Sequence, residues 1–470
     1  MKKNLHLNFR YISRSFLAYA IFLSVSCLTK TQLADETYDL LHLVTPDQTL
    51  NVRSQVQYLG SVIVDRAGQA EDQQALPLDV RARFEFDQRI SSGSVVSPQA
   101  IRYFENAEAS IKAGTGRAES KLATSNQLVL ARMKSDSGGS HHFQIASLDG
   151  MLSQKEYELL KNPGDPLAFT DLFQKKGVKV GDKWNIGKEQ FISLLSINRV
   201  ISHSVNMMLK SVDDNIAKVY VYGKVKGEVD DVITELKIKG IAQLDLEKQL
   251  VVGFRMSIDE QRRAGQLAPG FEGQVKLESQ IKPTSGNIMM SKDRLAKAHK
   301  GKKVKFSFQF DRDESDFKLI HSNDWRIIAS EDEAVILRYI SDGQMIAQCN
   351  VVQLPKRPED APLKLSEFQD EVRKIINKSE ARIIDAEQFN TVAGDLALKI
   401  EVEGVEEGIP FSWLYYHVGA DDGRRVTFVF TLEKDSQDYL QMADRALVGN
   451  IIFKSARQAK AIVTGTPNRK

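Results

Sequence analysis

From Thr37 to about Ile281 the chain alternates apolar and polar residues in runs separated by brief polar turns, a pattern that few folds accommodate. Phe254, Met256 and Ile258 fall on one side of an extended strand, with Arg255, Ser257 and Asp259 on the other. Leu236 and Ile238 alternate in the same way with Lys237 and Lys239, and Val219 and Val221 with Tyr220 and Tyr222. A period of two marks a pleated strand with one face on apolar material and the other in solvent. The connections at Asp213-Asp214-Asn215, at 227–231 and at Glu247-Lys248-Gln249 are short. Short turns impose antiparallel neighbours, because parallel strands need long crossovers. Earlier strands are expected at 38–44, 50–64, 78–86, 101–111, 127–133 and 142–146.

Helical signals interrupt this succession. Ser153-Gln154-Lys155-Glu156 fits a capping box, with Leu159 and Leu160 on the buried side. Asp165-Pro166 reads as an N-cap followed by proline at the first helical position, opening a short helix through Leu172-Phe173. The run Val178 onward to Trp184 reads as a turn that seats Trp184 against the sheet. Residues 35–285 are therefore expected to form a curved antiparallel half-barrel with short helices on its concave side. Residues 286–305 are expected to be a basic linker, since 292–305 hold seven Lys or Arg in 14 residues. A solvated linker is favoured there over an anion-binding patch.

Residues 306–455 carry a different rhythm. Strands are expected at 325–328, 335–340, 345–354, 383–386, 396–402, 411–418 and 426–432, with hairpin turns at Ser341-Asp342-Gly343 and Asp421-Asp422-Gly423. Ser366 and Gln369 form a capping box ahead of the stripe Phe368, Val372, Ile375 and Ile376, and a last helix is expected over 436–447. Strands, helix, strands and helix on one antiparallel sheet describe an α/β sandwich, so the fold class expected for the whole chain is α+β. Asn323-Asp324-Trp325, the helix from Ser366, the aromatic run Trp413-Leu414-Tyr415-Tyr416 and the closing stretch from Ala446 to Phe453 resemble the PsbP/Mog1/DcrB-like α/β fold. That resemblance implies a binding or accessory module without catalytic residues. More loosely, the first region is similar to the lipoprotein-carrier-like half-barrel domains of bacterial envelope proteins.

The first 34 residues read as a secretory signal: Lys2, Lys3, Arg10 and Arg14 precede an apolar run from Phe16 to Leu28, with no acidic residue before Asp35. The run is shorter than the roughly 20 apolar residues a membrane-spanning helix needs. Export to the periplasm or the extracellular space is expected. Leu23-Ser24-Val25-Ser26-Cys27 is an off-register lipobox, so removal of Cys27 is favoured over lipidation. Residues 456–470 are expected to be a flexible tail. Discounting the four basic residues of the head turns the formal +2 into −2, which argues against broad nucleic-acid binding. The only other cysteine, Cys349, lies in strand alternation and is read as a packing residue, without a disulfide framework.

The chemistry-bearing motifs fall short one by one. His141-His142 would point to opposite faces of a strand and cannot share a metal. The acidic run 311–316 lacks the glycine and glutamate of a calcium loop. No Gly-x-Ser-x-Gly elbow, phosphate-binding loop or dinucleotide fingerprint occurs. No catalytic, cofactor or metal residue is assigned; the one candidate contact surface is aromatic, at Trp413, Tyr415 and Tyr416. The expected function is a monomeric, exported bacterial binding protein of the cell envelope, without catalysis or cofactor. It would hold a lipid or other apolar ligand, or dock on another envelope protein. A ligand-free structural scaffold and an unrecognised carboxylate-dependent hydrolase are the alternatives.

Overall fold

The computed structural model describes residues 36–454 apart from 47, 66–72, 93–98, 136–140, 230–231, 266–268, 292–305, 332–333, 342–343, 359–360 and 377–379. The expected signal segment 1–34, the basic stretch 292–305, the expected tail 456–470 and Asp342 and Gly343 of the expected hairpin turn lie outside the described residues, as do the side chains of His141 and His142.

The first sheet starts in its own middle. After β1 (Tyr38–Leu41), the chain runs outward through β2 (Thr49–Asp65), β3 (Gln73–Ser92), β4 (Gln99–Ala113), β5 (Gly116–Lys121), β6 (Leu128–Ser135) and β7 (His141–Ser147) to one edge. Helices α1 (Gln154–Leu160) and α2 (Phe169–Leu172), strands β8 (Gln174–Val178) and β9 (Lys183–Asn185) and helix α3 (Lys188–Leu195) follow. From β9, at the other edge, the chain winds back inward through β10 (Arg199–Asp213), β11 (Ile216–Val229), β12 (Val232–Asp245), β13 (Leu250–Arg262) and β14 (Gly270–Thr284). Strand β14 then docks antiparallel on β2, and β8 pairs with β1 in a separate two-stranded ladder. The tight return between β10 and β11 uses Asp214 and Asn215 at φ 50° and 62°, the left-handed pair that a two-residue hairpin favours.

Alternation decides which face is core. Val56, Leu277, Met256 and Val221 lie in one cross-strand row and all are buried. The helical passage covers that face: the rings of Phe169 in α2 and Phe254 in β13 lie 4.9 Å apart, and Leu159, Leu160, Phe191, Leu194 and Leu195 join the same core. The expected capping box forms, with the Glu156 N–H donating to Ser153 Oγ and the Ser153 N–H to Glu156 Oε2 at 2.8 Å. Asp165 caps as expected, accepting the Leu167 N–H at 2.9 Å, and it also binds Arg102 through two guanidinium nitrogens at 2.6 and 2.7 Å. Trp184 sits in β9, half-buried against the sheet. Where β2 and β14 pair at Gly60 and Gly273, the backbones come so close that a Cβ on Gly60 would stand 2.2 Å from the Glu272 carbonyl oxygen.

The second unit comprises β15 (Ser307–Asp311), β16 (Phe317–Ser322), β17 (Trp325–Ser330), β18 (Ala334–Ser341), β19 (Gln344–Leu354), α4 (Leu365–Ile376), β20 (Ala381–Asn390), β21 (Leu396–Glu406), β22 (Ile409–Gly419), β23 (Arg425–Glu433), α5 (Gln437–Leu440), α6 (Ala443–Gly449) and β24 (Ile451–Phe453). Seven strands form one sheet in the order β17-β18-β19-β23-β22-β21-β20, and β15-β16-β24 form a small second sheet. Phe317, Leu319, Leu447, Val448 and Ile451 pack on the face that carries Leu337, Cys349, Tyr416 and Phe430. Helix α4 covers part of the other face, setting Phe368, Val372 and Ile376 on Leu398, Ile400 and Val402. Ile375, expected on that buried stripe, is instead exposed.

The α+β class expected from the sequence is overturned. Among the described residues 63% are strand and 15% helix, all sheet pairing is antiparallel, and no sheet closes into a barrel. Two physical reasons account for the difference. The small sheet β15-β16-β24, where no strands are expected from the sequence, shares its layer with α6. The single helix expected over 436–447 is broken at Gln441 and Met442, which take left-handed φ of 46° and 67°, leaving one turn and a seven-residue piece.

Candidate functional site

The two units meet at α1. Gln154 Oε1 accepts the Ile327 N–H of β17 at 2.8 Å, the Gln309 N–H of β15 donates to the Leu152 carbonyl at 2.9 Å, and the rings of Tyr157 and Phe308 lie 4.8 Å apart. Beside this seam lies a pocket of about 460 Å³. One wall is the apolar face of the first sheet, with Tyr58, Leu236, Ile258 and Val275; a second is Tyr157, Pro163, Leu195 and Ile197 from the helical passage; a third is Ile327, Ile328 and Ile340 from the second unit.

Strand β13 supplies the polar end. Its core-facing phase, Phe254, Met256 and Ile258, continues to Glu260 and Arg262. These two side chains are thereby carried onto the apolar side of the sheet. Glu260 accepts a hydrogen bond from Thr234 Oγ1 at 3.1 Å and lies 3.6 Å from Arg262 Nε. Burial raises the Glu260 carboxyl above its ordinary range, opposed by the Arg262 charge and the Thr234 hydrogen bond. Burial, with the Glu260 charge behind it, also holds the Tyr58 phenol well above its usual value. Arg262 Nε is buried and makes no hydrogen bond. A buried donor left unsatisfied costs about 1–3 kcal/mol, more when charged, so an oxygen supplied there would bind favourably.

The lining contains neither histidine nor cysteine; besides Glu260, Arg262 and the Tyr58 phenol it carries Glu158, Lys161, Arg326 and the Ser196 hydroxyl, with no histidine to activate that hydroxyl as a nucleophile.

The aromatic surface expected at Trp413, Tyr415 and Tyr416 is divided by the strand. Tyr416 is fully buried, donating to Asp444 Oδ2 at 2.5 Å. Trp413 and Tyr415 are half-buried beside α4 on the opposite face, with Trp413 stacked on Phe411 at 5.9 Å. Cys349 is fully buried, and burial pushes its thiol well up, in keeping with a packing residue. Of the acidic run, Asp311 pairs with Lys318 at 2.7 Å and Lys454 at 2.9 Å, and Arg312 with Glu314 at 3.5 Å. Sequence reasoning missed Glu260 and Arg262, although both continue the apolar phase recognised at Phe254, Met256 and Ile258.

Fold and pocket together define a two-unit antiparallel β protein with a mainly apolar cavity at the junction. No family model matches the chain, and no curated protein matches it. Among solved structures it is similar to cyanobacterial PsbP from Synechocystis sp. PCC 6803, at 15% identity over 32% of this chain and 92% of that one, with a TM-score of 0.26. It is also similar to PA94 from Pseudomonas aeruginosa, a protein of unknown function described as a putative regulator, at 12% identity over 32% and 99% (TM-score 0.24). The translocator domain of the autotransporter NalP from Neisseria meningitidis is matched at 11% identity over 84% of this chain and 90% of that one, with a TM-score of 0.12.

Proposed function

We propose that the chain is a non-catalytic binding protein of the bacterial envelope that holds an apolar ligand with a polar end in the junction pocket. The observation that carries this reading is Arg262, whose buried Nε has no hydrogen-bond acceptor beside the apolar walls of the cavity. A cavity of 460 Å³ lies within the roughly 300–1,000 Å³ typical of small-molecule sites, which favour domain junctions. The apolar walls would take the body of the ligand, and Arg262, Tyr58 and Glu260 would orient its polar end.

Binding of cis-parinaric acid, a fluorescent C18 fatty acid, to the full chain tests this. Arg262→Met is expected to weaken binding about tenfold, the worth of one charge-assisted hydrogen bond. Ile328→Trp, at the pocket's exposed rim, is expected to weaken it by narrowing the space. Absence of binding, or equal affinity in both variants, refutes the reading and leaves the ligand-free scaffold. Ester or glycoside hydrolysis lost in Glu260→Gln would instead support the hydrolase.

A further inference from the structure

The solvent face of the first sheet carries a second site. A groove of about 1040 Å³ crosses six neighbouring strands, β3, β2, β14, β13, β12 and β11. Its floor is the backbone of the row Ala82, Val56, Leu277, Met256, Gly240 and Val221, whose side chains, glycine apart, point into the core. Two rows of outward side chains form the walls. One reads Arg83, Gln55, Glu278, Arg255, Ile241, Tyr220, and the other Arg81, Gln57, Lys276, Ser257, Lys239, Tyr222.

Charge in the groove is one-sided. Five cations line it against one carboxylate, Glu278, which Arg255 already binds at 2.7 Å. Arg81 is likewise held by Asp79 at 3.0 Å. Arg83, Lys276 and Lys239 remain exposed and have no ion-pair or hydrogen-bond partner among the described residues. They stand on β3, β14 and β12, each two strands from the next; at about 4.8 Å per strand this spaces Lys276 and Lys239, in one row, by about 10 Å, and Arg83, two residues along in the facing row, lies about 12 Å from Lys276.

We propose that this groove binds an acidic polysaccharide with about one negative charge per two sugar rings. A charge every 10 Å or so matches such a repeat and is far sparser than the roughly 3.4 Å rise per phosphate of a DNA strand. The groove is open to solvent along its length, so it would leave an acyl chain exposed; a hydrated polymer carries no such cost. Tyr220 and Tyr222, on one face of β11, offer their rings to the apolar faces of the sugars at the end away from Arg83. This site is independent of the junction pocket, which opens on the other face.

The experiment is titration of the full chain with a hyaluronan dodecasaccharide, used as a polymer with one carboxylate per disaccharide. Neutral dextran, single-stranded DNA and phosphatidylglycerol vesicles serve as parallel probes. The expected result is saturable hyaluronan binding that weakens with salt and falls at least tenfold in the triple variant Arg83→Glu, Lys239→Glu, Lys276→Glu. All three side chains are exposed, and an unchanged melting temperature in the triple variant attributes the loss to the groove. No hyaluronan binding, equal binding of dextran, preference for DNA or vesicles, or full affinity in the triple variant overturns the proposal.

Discussion

Replacing Asp165 by Asn should cost the first unit more than the loss of any surface ion pair, because its partner has nowhere else to turn. The side chains of Arg102 and Asp165 are 2% and 9% exposed. The guanidinium spends Nη1 and Nη2 on the carboxylate and Nε on Gln88 at 2.8 Å, and lies over the rings of Phe86 and Phe143 at 5.0 and 5.7 Å. Asn at 165 keeps an oxygen for the Leu167 N–H but strands a positive charge in that apolar setting. Removing one partner of a buried pair costs about 3–5 kcal/mol, against a total stability of about 5–15 kcal/mol. For a unit of this size each kcal/mol moves the melting temperature by about 2–4 °C, so a fall of about 10 °C is expected. The exposed pair Arg255–Glu278, 70% and 46% accessible, is the control, and Glu278→Gln should cost under about 1 kcal/mol. Urea and thermal unfolding of the full chain measure both. If Asp165→Asn and Glu278→Gln fall within 1 kcal/mol of each other, the pair is not the buried anchor described here. Pairing Asp165→Asn with Arg102→Met should recover part of the loss, since an apolar replacement of both partners removes the stranded charge.

Two further outcomes follow from local geometry. Burial lowers His42 from 6.5 to about 4, and its Nδ1 accepts the Val251 N–H at 3.1 Å, which a protonated ring cannot do. The folded value lies below the unfolded one, so this contribution is whole above pH 6.5 and is lost as pH falls toward 4; the unfolding free energy from urea titration should drop across that window, with at most about 3 kcal/mol of the drop due to His42 and absent in His42→Gln, and an unchanged slope in that variant contradicts the assignment. Gly60→Ala should destabilise by more than about 1 kcal/mol in thermal unfolding, because its Cβ would meet backbone on β14, whereas Gly449→Ala, with nothing within 4 Å, should be near neutral; equal effects would show that the strands give way.

Much of the first sheet was legible in the sequence because its physics is local. Period-two alternation located β11, β12 and β13, and the cap chemistry of Ser153, Glu156 and Asp165 located their helical turns. Helix α3 escaped because its cap is Gly187, where the Gln190 side chain accepts the Gly187 N–H at 2.8 Å in place of a Ser, Thr or Asp signal. The break at Gln441 and Met442 was invisible for a related reason: neither residue type announces a left-handed φ. At the junction pocket, Glu260 and Arg262 were readable in the phase of β13, but Ile327 and Ile328 lie in another unit, and nothing local says that they close the same cavity. Across the groove, Tyr220, Tyr222, Lys239 and Arg255 were each recognisable as solvent-facing. Their alignment into two rows depends on registers set between strands, and the seam joining them to Arg83 brings together residues far apart in the chain.

That seam also governs the order in which the protein can be assembled. Ser54 of β2 and Ser279 of β14 share a hydrogen bond at 2.9 Å across 225 positions of sequence. A chain that emerges N-terminus first presents β2 with β3 on one side and, on the other, an open ladder of unpaired amides and carbonyls until β14 has been made. Loop closure over such a span is slow to be rewarded, and an unpaired strand edge is a template for the wrong partner. Any compartment in which this protein matures must therefore keep that open edge of β2 from pairing wrongly for the time taken to deliver the next two hundred residues, making the interval between the two strands a kinetic property of the fold as much as a topological one.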